Sequence, residues 1–76
     1  MISYIRGELV ALEEDKAIVD VGGVGYGIFM SGQAMGQLPP VGSKVKIHTY
    51  LNVKEDAIQL YGFLNRDALS VFKLLI

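Results

Sequence analysis

The chain's 76 residues hold one small domain and exclude a second. At this size about 60% of the unfolded surface can be buried, yet 51% of the residues are hydrophobic, so part of the surface is expected to meet another chain. Seven Lys and Arg against eight Asp and Glu leave a net charge of -1, which excludes an overall field toward nucleic acid or anionic lipid, while the absence of Cys excludes disulfides, thiolate zinc sites and cysteine nucleophiles.

Met1 to Gly7 lacks the basic-then-apolar signature of a secretory signal, and no apolar run approaches the roughly 20 residues that span a bilayer. A cytoplasmic location without membrane contact is therefore expected. Ile2 to Leu12 reads as a strand whose phase shifts at Arg6-Gly7, because Ile2 and Tyr4 lie on one parity and Leu9 on the other. A glycine there predicts a bulge or sharp bend, which lets one strand serve both sides of a small barrel. Glu13-Glu14-Asp15-Lys16 is a charged, exposed tip.

Ala17, Val19 and Val21 then share a face opposite Ile18 and Asp20. After Gly22-Gly23, the residues Val24, Tyr26, Ile28 and Met30 alternate with Gly25, Gly27 and Phe29, which predicts a hairpin. Ser31 to Leu38 has room for at most two helical turns, with Ser31 as N-cap, and Pro39-Pro40-Val41-Gly42 forces a turn.

Lys44 to Val53 is the clearest strand: Val45, Ile47, Thr49, Leu51 and Val53 face one way, and Lys44, Lys46, His48, Tyr50 and Asn52 the other. The charged tip Lys54-Glu55-Asp56 leads to a last strand, Ile58 to Phe63. From Asn65, an N-cap, the period lengthens, and Ala68, Leu69, Phe72, Leu75 and Ile76 fall on one helical stripe. Ending on Leu74-Leu75-Ile76 leaves apolar side chains uncovered, so the chain reads as a fragment.

Five strands, a phase change at a glycine and an inserted helix predict an all-β, five-stranded OB-fold Greek-key barrel with a C-terminal helix, an SH3-like barrel being the competitor. Catalysis finds little to work with. His48 is the only histidine and reads as a solvated strand residue, and Ser3, Ser31, Ser43, Thr49 and Ser70 sit in no Ser/His/Asp pattern. No cofactor, metal or catalytic residue is assigned, and a non-enzymatic domain is expected.

Gly22-Gly23-Val24-Gly25-Tyr26-Gly27 lacks the Lys-Ser/Thr ending and following helix of a phosphate loop, so its glycines read as structural. Tyr26 and Phe29 read as core or interface packing rather than base-stacking platforms, since no basic residues interleave with them. By composition alone, Lys54-Glu55-Asp56 is a solvated loop.

Three runs change that balance. Met1-Ile2-Ser3-Tyr4-Ile5-Arg6-Gly7 resembles the opening of the RuvA family of Holliday-junction-binding proteins. Asp20-Val21-Gly22-Gly23-Val24-Gly25-Tyr26 resembles that family's early motif, and Val53-Lys54-Glu55-Asp56-Ala57 with Leu60-Tyr61-Gly62-Phe63 resembles its second. Phe72-Lys73-Leu74-Leu75-Ile76 is similar to the start of its next helix, whereas Ser31 to Gln37 departs from the family's residue mix.

The resemblance implies an OB-fold domain over residues 1–63, and the first helix of a following helix-hairpin-helix domain over residues 64–76. It implies a homotetramer that holds a four-way DNA junction open and planar for branch migration in recombination and repair, with two tetramers able to sandwich the junction. Its motor partner is RuvB, an ATPase bound through a further C-terminal domain.

Glu55 and Asp56 fall on the family's acidic pin, with Lys54 as tip support. Ile2, Tyr4 and the apolar members of the glycine-rich hairpin are interface candidates. The alternatives are a structural oligomerisation barrel without a direct DNA role and, less favoured by the charge, a general single-strand-binding OB module.

Overall fold

In the computed structural model, which describes residues 1–76, the alternating segments form β1 (Tyr4–Leu12), β2 (Lys16–Val21), β3 (Val24–Phe29), β4 (Lys44–Val53) and β5 (Ile58–Phe63). Two helices complete the chain, α1 (Gly32–Met35) and α2 (Arg66–Leu75). The sheet closes in the order β1-β2-β3-β5-β4, and β4 returns to β1. Every pairing is antiparallel except β3 with β5. This is the five-stranded OB-type barrel, with its short helix between β3 and β4, rather than the SH3-like competitor.

The directions of the strands fix what lies at each end. Because β3 and β5 run parallel, the turns that open them, β2–β3 and β4–β5, share one end of the barrel. The start of β1, antiparallel to β4, joins them there. The β1–β2 turn, α1 and the start of α2 occupy the opposite end.

Inside, Ile5, Leu9, Ala17, Val19, Ile28, Met30, Val45, Ile47 and Leu60 form the buried core. Thr49 is the one buried polar side chain: its hydroxyl donates to the Ile2 carbonyl at 2.7 Å, while its N–H donates to the Ser3 carbonyl at 2.9 Å. These two bonds fasten the segment before β1 along β4, and Ile2 packs against the core.

The phase shift predicted at Arg6-Gly7 is not where the ladder breaks. Ile5, Gly7 and Leu9 keep one inward parity and Tyr4 faces outward, whereas the register with β2 slips between Leu9 and Ala11. Val10 is therefore the extra residue of the bulge. Gly7 serves a different need, since a Cβ there would overlap the carbonyl oxygen of Asp20 on the neighbouring strand.

The predicted caps are in place. Ser31 Oγ accepts the Ala34 N–H at 3.1 Å, and Asn65 Oδ1 accepts the Ala68 N–H at 2.8 Å, so each helix starts with one orphan donor satisfied. The predicted α2 stripe is only half used. Phe72 meets the rings of Phe63, Tyr50 and Tyr61 at 4.9, 5.6 and 5.8 Å, but Leu75 and Ile76 stay 80% and 67% exposed.

Candidate nucleic-acid interface

Burial decays along the inward face of β4: Val45, Ile47 and Thr49 are buried, Leu51 is half-buried and Val53 is 65% exposed. Its partner across the ladder, Ile58, is 73% exposed. The β4–β5 hairpin thus runs past the core before it turns, and the alternation that predicts Val53 as a core residue is overridden by this overshoot.

At the tip, the Lys54 N–H donates to the Ala57 carbonyl at 2.7 Å, leaving Glu55 and Asp56 as the turn. Lys54, Glu55 and Asp56 are all exposed. None of them forms an ion pair, the single salt bridge of the molecule being Lys16–Glu13 at 3.5 Å. Two uncompensated carboxylates therefore stand on an apolar shaft of Val53 and Ile58.

The same end carries the β2–β3 turn, whose Gly22 and Gly23 adopt φ of 61° and 92°. Asp20 Oδ1 accepts the Gly23 N–H at 2.9 Å, and a strand follows instead of a helix, so this glycine run is a turn and not a phosphate loop. Val21 and Val24, beside the turn, and Met1 are exposed, which leaves uncovered apolar side chains at the same end of the barrel as the acidic tip. Of the interface candidates Ile2, Tyr4 and the apolar members of the glycine-rich hairpin, Ile2 packs against its own barrel.

Other candidates change character. His48, read as solvated, is half-buried and lies in the ladder between Tyr4 and Phe63. Tyr26 packs on the core, and Phe29 lies 5.9 Å from the Tyr61 ring with the Lys16 ammonium 5.4 Å above it, so both are engaged in packing. No group of three or more His, Cys, Asp or Glu side chains converges as metal ligands would.

Strand pairing also creates a cluster that linear reading misses. β1 and β4 place Arg6 directly opposite Lys46, and Glu8 opposite Lys44. The Lys46 ammonium sits 4.6 Å from the Tyr4 ring centroid. Alternation puts Lys44 and Lys46 on one face, but only the long-range register brings Arg6 to them.

The RuvA N terminal domain family model matches residues 1–62 of this chain. The chain belongs to the RuvA N-terminal domain family. A RuvA protein from Lachnospira eligens is 57% identical over 76 residues, covering 100% of this chain and 37% of its own length. RuvA proteins from Acetivibrio thermocellus and Prosthecochloris aestuarii are 49% and 47% identical over 76 residues, each again covering all of the chain and 38% of the relative.

All three are named Holliday junction branch migration complex subunit RuvA. The chain therefore spans well under half the length of these RuvA relatives. No helix of the chain is long and apolar enough to cross a membrane.

Proposed function

We propose that this barrel is the hub of a cytoplasmic, non-catalytic Holliday-junction-binding protein, in which four copies hold the junction open and planar for branch migration by a partner ATPase of the RuvB kind. Residues 1–63 form the hub, and residues 64–76 begin a following helix-hairpin-helix domain. Glu55 and Asp56 act as an acidic pin supported by Lys54, with DNA arms radiating around it. Two such tetramers enclose a junction between them.

The observation that carries the proposal is the unpaired Glu55-Asp56 turn on a hairpin that overshoots the core. The relatives' names supply the substrate, and the exposed apolar residues at that end supply a reason to associate.

A negative pin cannot supply affinity for a polyanion. Two unit charges about 8 Å apart repel by roughly 0.5 kcal/mol in water and about four times that at an effective dielectric of 20. Four copies place eight carboxylates at the hub, and before salt screening their sum excludes sugar-phosphate backbone from the centre. Continuous duplex must cross that centre, whereas the strands of an open junction diverge around it. Discrimination by shape follows, with affinity arising from phosphate contacts elsewhere.

Glu55→Gln combined with Asp56→Asn in the full-length protein is expected to reduce the preference for a four-way junction over linear duplex several-fold in a competition assay. The change should shrink as salt rises. An unchanged preference at every salt concentration overturns the pin and leaves a structural oligomerisation barrel.

A further inference from the structure

We propose that the outward face of β1 and β4, centred on Arg6, Lys44 and Lys46, is a second nucleic-acid contact that grips the phosphate backbone of a duplex arm. This rests on the DNA reading above but on different residues and the opposite sign of charge. Three of the chain's seven Lys and Arg meet here, in a molecule whose net charge is -1. All three are exposed, and none has a carboxylate within 4.0 Å. Glu8, opposite Lys44, does not reach it in an ion pair.

The pairing of Arg6 with Lys46 is the telling feature. Like charges directly across a strand pair destabilise a sheet, and the barrel gains no compensating ion pair from them. Lys46 instead leans over Tyr4. An arrangement that burdens the fold is explained by a ligand that neutralises it, and the ligand has to be anionic.

Geometry favours nucleic-acid backbone over protein carboxylates. Alternate residues of a strand recur about every 6.6 Å, far enough apart for two side chains to meet two different phosphates. Lys44 and Lys46, on flexible stems, therefore each have a separate phosphate of one backbone within reach. The depression they line with Arg6, Gly7, Glu8 and Val45 is open, and Val45 is its one hydrophobic residue, so charged head groups on aliphatic stems dominate it, which suits a backbone more than a protein interface. Lys46 lies eight residues before Lys54, up to about 26 Å along the strand, so the phosphates it meets belong to an arm and not to the crossover.

The test uses the 76-residue chain with a fluorescent linear duplex and a fluorescent four-way junction, titrated between about 20 and 200 mM salt. Each phosphate contact contributes about 0.9 to the slope of log affinity against log salt. Lys44→Gln combined with Lys46→Gln is expected to flatten that slope by about 2 for each copy that engages an arm, and to weaken the linear duplex as well as the junction. Thermal unfolding of the variant should be unchanged or raised, since a like-charge pair is relieved.

An unchanged slope overturns the proposal, as does failure of the parent chain to bind either probe at the lowest salt. A variant whose sedimentation changes while its salt slope does not shows that the patch meets acidic side chains of a second copy instead. If the Glu55 and Asp56 substitutions leave junction preference unchanged while the lysine variant flattens the slope, the pin fails and the phosphate contact stands.

Discussion

Gly7→Ala is expected to cost about 3 kcal/mol or more, at the upper end of what overpacking usually does. The added Cβ would overlap the Asp20 carbonyl oxygen and come within 2.9 Å of Val21 Cγ2 and 3.0 Å of the Asp20 carbonyl carbon. The obstacle is mostly backbone, so no rotamer change relieves it. Glu8 pairs with Asp20 on one side and Gly7 pairs with Val45 on the other, so β1 is held between two ladders and cannot retreat from one without straining the other. A domain of this length has a total stability of roughly 4–11 kcal/mol, so the loss threatens the folded state itself. Urea unfolding measures it directly, and a stability within about 0.5 kcal/mol of the parent contradicts the close strand approach.

Ile47→Ala is expected to cost about 2–5 kcal/mol by the same measurement, from lost burial plus a cavity the barrel cannot close. Ile47 is completely buried, pairs with Ile5 across the β1–β4 ladder and touches the space over Gly62, where a Cβ would meet its Cγ2 at 2.7 Å. With no side chain at Gly62, the isoleucine methyl fills that volume. A loss below about 1 kcal/mol would show that the barrel collapses around the gap and that its packing is looser than described.

The strands and caps are legible in the sequence because local chemistry sets them. Strict alternation from Lys44 to Val53 marks β4 to the residue, and Ser31 and Asn65 announce helices through their own hydrogen bonds. The acidic tip is legible as a turn because charged residues interrupt two apolar ladders. Features fixed by distant strands are not legible. Gly7 looks like a bend because its true reason, the Asp20 carbonyl, lies thirteen residues away and appears only once β2 is placed.

The bulge at Val10 carries no glycine to betray it. Val53 and Ile58 have the pattern of core residues, yet the hairpin overshoots the barrel and exposes them. Arg6 is forty residues from Lys46 in the chain and directly opposite it in the ladder, so the basic cluster exists only in three dimensions. Leu75 and Ile76 share a helical stripe with Phe72 but remain exposed, Ile76 lying at the rim of an open depression beside Tyr50, Asn52 and Tyr61 rather than in the core.

An acidic hub requires the Glu55-Asp56 tips of neighbouring copies to stand close together. The chain contains no cysteine, so Lys54→Cys provides a unique spin-label site beside Glu55 and Asp56 while keeping both carboxylates, and Glu14→Cys provides one at the opposite end of the barrel. Pulsed dipolar distance measurement on the associated chain is predicted to give two short distances at position 54 in a ratio of about 1.4, the diagonal-to-edge ratio of four-fold symmetry, and longer distances at position 14. Absence of dipolar coupling at position 54, or distances there longer than those at position 14, would contradict an acidic hub.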